Sequence, residues 1–172
     1  MNIYITSGTP AFMETVRDKY PKEMIIVMHD ETDALLVHET TGKTVFQTPR
    51  RYEVLASSGA LDENGYFVLN HLPVTDEGRP IFEHLFKERV HALDDTLGFI
   101  AFRLLRPLDS DTYIVMTEWS ANTYYEMWKN SSSFYDAHLT GRAEAGIDNT
   151  PHIFTSAAFV TSYIAKVREE EV

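Results

Sequence analysis

Residues 66–93 read YFVLNHLPVTDEGRPIFEHLFKERVHAL, and within them the apolar spacing changes from every second residue to one helical turn. Tyr66, Val68, Asn70 and Leu72 alternate with Phe67, Leu69 and His71, so the first nine residues read as a strand. Further on, Ile81, Phe82, Leu85, Phe86, Val90 and Leu93 fall on one side of an amphipathic helix predicted over 77–93. Strands at 99–105 and 113–119 follow, linked through Pro107 and Asp109-Ser110-Asp111. Helical pieces at 121–129 and 133–142 flank a serine run, and a last strand is expected over 152–165 with a break near Ser156. The order is β-α-β-β-α-β, that of the ferredoxin-like split βαβ unit.

Upstream of the polar, glycine-bearing stretch 59–65, shorter pieces suggest an incomplete version of the same plan. A strand at 2–6 leads to Pro10, a helix start, and Phe12, Val16 and Tyr20 are expected on one face of a helix over 11–20. Strands at 24–28 and 34–38 are joined by Asp30-Glu31-Thr32-Asp33. Thr41-Gly42-Lys43 suggests a turn before a strand at 44–47, and 50–56 suggests a short helix. Two units are therefore expected, an N-terminal half-domain over 1–60 and a second domain over 61–172. The fold class expected is α+β, ferredoxin-like, of the dimeric α/β-barrel type. The front unit would then complete the barrel within one chain, which favours a monomer over a dimer.

With 172 residues and 44% hydrophobic content, the chain can bury a sizeable core. Its net charge of −11, from 26 acids against 15 bases, repels phosphate backbones and anionic membranes, so no nucleic acid partner is expected. No apolar run reaches the length of a transmembrane helix, and the first residues form no secretion signal. The absence of cysteine excludes disulfides, thiolate ligands and cysteine nucleophiles, and agrees with an expected cytoplasmic location.

Three residues draw attention for their chemistry. Asn70 is an amide inside an apolar strand; Trp128 ends the run Tyr124-Tyr125-Glu126-Met127-Trp128; His138 follows Trp128 by ten residues. Phe134 stands four before His138, on the same helical face if that segment is a helix. On pattern alone the plainer readings come first: a satisfied buried amide, a core tryptophan and a surface histidine. His84 and His91, seven apart, make a weak metal pair. Neither a His-Glu-x-x-His run, nor a phosphate-cradling glycine pattern, nor a Gly-x-Ser-x-Gly elbow occurs.

Residues 65–168 resemble the IsdG-type haem-degrading branch of the antibiotic-biosynthesis-monooxygenase superfamily. The resemblance rests on Val68-Leu69-Asn70, Leu97-Gly98-Phe99, Tyr113 through Trp119, Met127-Trp128-Lys129-Asn130-Ser131 and Phe134-Tyr135-Asp136-Ala137-His138. Over its whole length the chain is similar to the HmoB and TRAP-like subgroup, through Tyr4-Ile5-Thr6, His38-Glu39-Thr40, Thr44-Val45-Phe46-Gln47, residues 103–112 and Ala145-Gly146-Ile147-Asp148. The resemblance implies that His138 is the axial ligand of haem iron, that Asn70 hydrogen-bonds to the iron-bound ligand, and that Trp128 presses the porphyrin out of plane. Phe134 would line the same pocket. Haem would then be cofactor and substrate together, with O₂ and an external electron donor, a reductase or small reductant, as co-reactants. Iron and a bilin-type product would be released. TRAP proteins lack part of this residue set, so its presence favours an enzyme; the alternative is a non-catalytic TRAP-like regulatory or haem-binding protein. A cofactor-free oxygenase of the wider superfamily, acting on a quinol or polyketide, would have no use for an iron ligand.

Overall fold

The computed structural model describes residues 1–131 and 153–165. The element order is β1 (Asn2–Gly8), α1 (Pro10–Asp18), β2 (Ile25–His29), β3 (Ala34–Thr40), β4 (Arg50–Ser58), β5 (Tyr66–Pro73), α2 (Arg79–Lys87), β6 (Phe99–Pro107), β7 (Thr112–Trp119), α3 (Asn122–Lys129) and β8 (Phe159–Ala165). The strands close into an antiparallel barrel in the order β1-β3-β2-β8-β5-β7-β6-β4. This is an α+β, ferredoxin-like architecture with the helices outside.

Alternation along each strand divides the apolar residues between two layers. Ile3, Ile5, Ile26, Met28, Val37, Phe67, Leu69, Ile114 and Met116 fill the barrel interior. The opposite faces of β5, β6 and β7 meet α2 and α3 through Leu72, Phe102, Leu104, Tyr113, Val115, Val68 and Trp119. Burial on both faces explains why β7, TYIVMTEW, reads as a nearly continuous apolar run. An eight-stranded barrel is just wide enough for its own side chains, so a large ligand has to be held outside it.

Polar groups close both ends of the interior. Arg103 Nε donates to Glu39 Oε2 at 2.7 Å, while its Nη1 donates to the carbonyls of Ser58, Gly59 and Phe102. Nearby, the fully buried Glu118 accepts the Asp62 amide at 2.7 Å, and burial pushes its carboxyl up to about 8. At the other end His71 Nε2 lies 2.8 Å from Thr161 Oγ1 and stacks on Phe159 at 4.4 Å; burial, with the Arg50 charge, pulls its imidazole down to about 4.

Several local expectations are corrected. Residues 50–56 are no helix: β4 pairs with β1 on one side and β6 on the other, and turns Tyr52 into the core. Barrel closure outweighs local propensity there. Residues 44–47 form no strand, because Thr44 Oγ1 accepts the Phe46 amide and lies 3.1 Å from His38 Nδ1, which turns the backbone aside. The buried residue of α1 is Met13, while Phe12, grouped with Val16 and Tyr20, is 61% exposed. In α2 the regular helix ends at Lys87, short of residue 93, and tighter turns carry Leu93 back to the core. The last strand begins at Phe159; ahead of it Phe154 bridges to Val74.

Candidate ligand site on the outer sheet face

Asn70 is half-buried on β5, opposite Val115 of β7 and Val160 of β8. Partners directly opposite in antiparallel strands share a face, so Asn70 lies on the outer layer with Val68, Thr117 and Trp119. Trp128 reaches that layer from the last turn of α3. It is 5% exposed and packs with Val68, Leu93 and Trp119, its ring centroid 5.4 Å from that of Trp119. Tyr125 completes the cluster, 5.8 Å from Trp119 and 6.1 Å from both Trp128 and Tyr66. The fold therefore brings Asn70 and Trp128 to one face. His138 and Phe134 lie outside the described residues, as does the helical piece expected over 133–142.

Two features position α3. Gly98 has φ +79°, and a Cβ there would sit 2.2 Å from Tyr124 Cγ, so glycine lets the helix close onto the start of β6. The Ser120 amide donates to the Gly98 carbonyl at 2.8 Å, which fixes the β7–α3 corner. On the neighbouring helix, Glu83 takes hydrogen bonds from Tyr113 Oη, at 2.5 Å, and from Arg106. Burial opposes the Glu83 charge, but these donors outweigh it and hold the carboxyl below the usual glutamate range. That network anchors α2 to β6 and β7.

Between these elements lies a hollow of about 30 Å³ lined by Phe86, Arg89, Leu93, Phe102, Thr117 and Trp128. It has room for a water molecule and no more. Next to it the outer face of β8 is open: Val160 is 55% and Ile164 50% exposed, level with Asn70 and Tyr66. The open face ends in a larger hollow of about 510 Å³, lined by His29, Glu31, Tyr66, Ser162 and Ile164 among others. That volume falls in the range of about 300–1,000 Å³ typical of small-molecule sites. The face on offer to a ligand thus carries the apolar Val160 and Ile164 with the Asn70 amide and the Ser162 hydroxyl, an aromatic wall beside it, and His29, Asp30 and Glu31 in the hollow where it ends.

Two residues absent from the sequence reading join the site. Among the described residues Arg89 is the charged side chain lining the smaller hollow, its guanidinium 5.6 Å from the Phe86 ring centre, and burial lowers its pKa from the ordinary arginine value. The seven-residue spacing of Phe86 and Leu93 placed a buried face there, but not the reach of a long cation over it. Thr117 turns its hydroxyl into the same layer and accepts Trp119 Nε1–H at 2.9 Å. Strand alternation with Val115 and Trp119 was the available signal for Thr117.

Other polar constellations are structural. Glu23, His38 and Thr44 form a relay-like chain, with His38 Nε2 2.9 Å from Glu23 Oε2. The imidazole is fully buried between Tyr4 and Phe46, and Thr44 Oγ1 already accepts an amide, so the chain pins a loop to β3. His84 and His91 pair with Glu88 and Asp94, their near neighbours in sequence, and no metal-binding cluster occurs among the described residues. Nor is any helix among them long and apolar enough to cross a membrane.

Comparison with known proteins adds the lineage. Residues 65–140 match the family model for antibiotic biosynthesis monooxygenase. The chain is 25% identical over 129 residues to the heme-degrading monooxygenase of Listeria monocytogenes, covering 75% of this chain and 77% of that protein. It is 26% identical over 170 residues to the signal transduction protein TRAP of Staphylococcus aureus, covering 95% and 94%. Among solved structures, a ferredoxin-fold protein from Listeria monocytogenes, related to antibiotic biosynthesis monooxygenases, superposes with a TM-score of 0.76 at 20% identity, covering 97% and 95%.

Proposed function

We propose that this chain, whose residues 65–140 match the antibiotic biosynthesis monooxygenase family model, is a haem-degrading monooxygenase. The observation that carries the reading is the meeting of Asn70 and Trp128 on one outer face, beside the open face of β8. That arrangement fits a flat apolar ligand: β5 and β8 form the floor and the Trp128 cluster the wall. The small hollow must widen for a ring of porphyrin size, and the turns after α2 are the part of its wall free of sheet pairing.

Bound haem supplies the iron and the oxidisable ring, and so serves as cofactor and substrate. In this reading the His138 imidazole ligates the iron, and Phe134 lines the pocket beside it. Asn70 would offer an amide N–H for a hydrogen bond to a ligand carried by the iron. Trp128, braced from behind by Trp119, crowds the ring. Electrons come from an external reductase or small reductant. Residues 1–60 act as the half-domain that closes the barrel around 61–172, so that a monomer suffices.

A second reading has a specific observation in its favour: the match to TRAP spans 95% of the chain. In that case the face binds a ligand, or a regulatory partner, without turnover. Hemin titration followed by ascorbate tests both. An oxygenase gives a Soret band that shifts in the parent, is lost or displaced in His138→Ala, and decays with iron release once reductant is added. A stable complex under reductant rejects the enzyme in favour of the binder; no complex at all rejects both haem readings.

A further inference from the structure

Thr117 is one of few polar side chains in the outer layer, and its hydroxyl already has a partner. Trp119 Nε1–H donates to Thr117 Oγ1 at 2.9 Å, two residues away on the same face of β7. Trp119 is fully buried and forms the hub of the aromatic cluster: Phe99 meets it edge-on at 5.8 Å and 76°, Tyr125 at 5.8 Å and 64°, and Trp128 lies against it at 5.4 Å with the rings tilted by 33°. Aromatic contacts alone leave a wide choice of offset and tilt, because ring pairs tolerate many geometries of similar energy. A hydrogen bond from the indole nitrogen removes that freedom, since only one rotamer aims the N–H at a fixed acceptor.

We propose that Thr117 is a positioning residue for Trp128 and acts through Trp119: its hydroxyl fixes the Trp119 indole, and that indole sets the angle at which Trp128 faces the ligand site. The inference rests on the proposed role of Trp128. It extends that role to a residue whose own contribution is to hold an indole still. Thr117 also lines the hollow on which Trp128 borders, so the acceptor, the hub and the wall are contiguous.

The chain contains only two tryptophans, and these are the tilted pair in contact, so the ligand-free protein reports the geometry directly. Circular dichroism of parent, Thr117→Val and Thr117→Ser apo proteins follows the exciton couplet of the two indoles. Valine, which keeps the shape and removes the acceptor, is expected to diminish or invert the couplet, and serine to retain it. With hemin and ascorbate, Thr117→Val is expected to keep hemin affinity within about twofold while turnover slows about tenfold, a change of about 1.4 kcal/mol in barrier. Serine restores the parent rate.

A couplet unchanged in Thr117→Val overturns the proposal, as does a changed couplet with unchanged turnover. Should the valine variant fail to fold, exchange of the Trp119 indole proton in the parent, Thr117→Ser and Thr117→Ala decides the point. Protection kept in Thr117→Ser and lost in Thr117→Ala supports the hydrogen bond; exchange at the solvent rate in the parent, or equal protection in all three proteins, overturns it. If the parent binds no hemin, the proposed function falls, while the couplet and exchange arms still report on the link from Thr117 to Trp128.

Discussion

Trp128 is 5% exposed within an aromatic cluster, so alanine at this position removes core packing together with any contact to a ligand. Truncating a buried tryptophan costs about 3–5 kcal/mol, enough to confuse folding with function. Phenylalanine is the better probe: Trp128→Phe is expected to keep hemin binding and to slow reductant-driven Soret decay about tenfold or more, equivalent to about 1.4 kcal/mol. Asn70 is half-buried at the open edge of the floor, and Asn70→Ala is expected to keep hemin affinity while losing activity. A parental decay rate in either variant would remove that residue from the mechanism. Asn70 and Trp128 drew attention as an amide in an apolar strand and an indole near a helix end, but pattern alone favoured core roles for both, and only the family resemblance made them site candidates. Arg89 and Thr117 were not legible, because cations and threonines are ordinary in the elements that carry them, and only packing turns them toward the hollow.

At the level of elements, the seat of α3 depends on a backbone conformation. Gly98→Ala puts a Cβ 2.2 Å from Tyr124 Cγ at φ +79°, and both helix and strand must give way. The expected loss is about 1–3 kcal/mol in a denaturant melt, with a disturbed tryptophan couplet as the sign that α3 has moved. Gly42→Ala is the control: its Cβ would meet only Thr40 Oγ1 at 3.7 Å, so a change within about 0.5 kcal/mol is expected. Equal losses in the two variants would show that the Gly98 corner does not hold the helix. Sequence periodicity found β5, β6, β7 and α3 within a few residues, since each has one strongly apolar pattern. It misread 50–56, whose alternation of Tyr52 and Val54 becomes meaningful only when β1 and β6 stand on either side. It grouped Phe12, Val16 and Tyr20 on one face of α1 but did not say which face is buried; Phe12 and Met13 are adjacent, and only the sheet beneath selects between them.

For the molecule as a whole, the polar ends of the barrel make stability depend on pH from both sides. Glu118 carries a proton up to about 8 in the folded chain against 4.5 when free, so the folded state holds a proton that the unfolded state has released. Its contribution is complete below 4.5 and is lost as pH rises toward 8, by at most about 1.4 kcal/mol per unit. His71 behaves oppositely: held neutral down to about 4 against 6.5, it favours the fold above 6.5 and loses that advantage as pH falls. Thermal melts should therefore show greatest stability at roughly pH 5–6, and Glu118→Gln should flatten the alkaline limb while leaving the acid limb in place. A parent curve that is level across the alkaline limb would remove Glu118 as its cause. By itself the sequence determined the order of strands and helices in the second half, because that order is written in local spacing; Asn70, Trp128 and His138 stood out as candidates for haem chemistry through the family resemblance, not through spacing. Only the tertiary structure decided that β4 closes the barrel, that the interior is filled, and that Asn70 and Trp128 share an outer face. Those outcomes depend on register between strands distant in the chain, and such pairings are settled by the packing of the whole, not by any one segment's pattern.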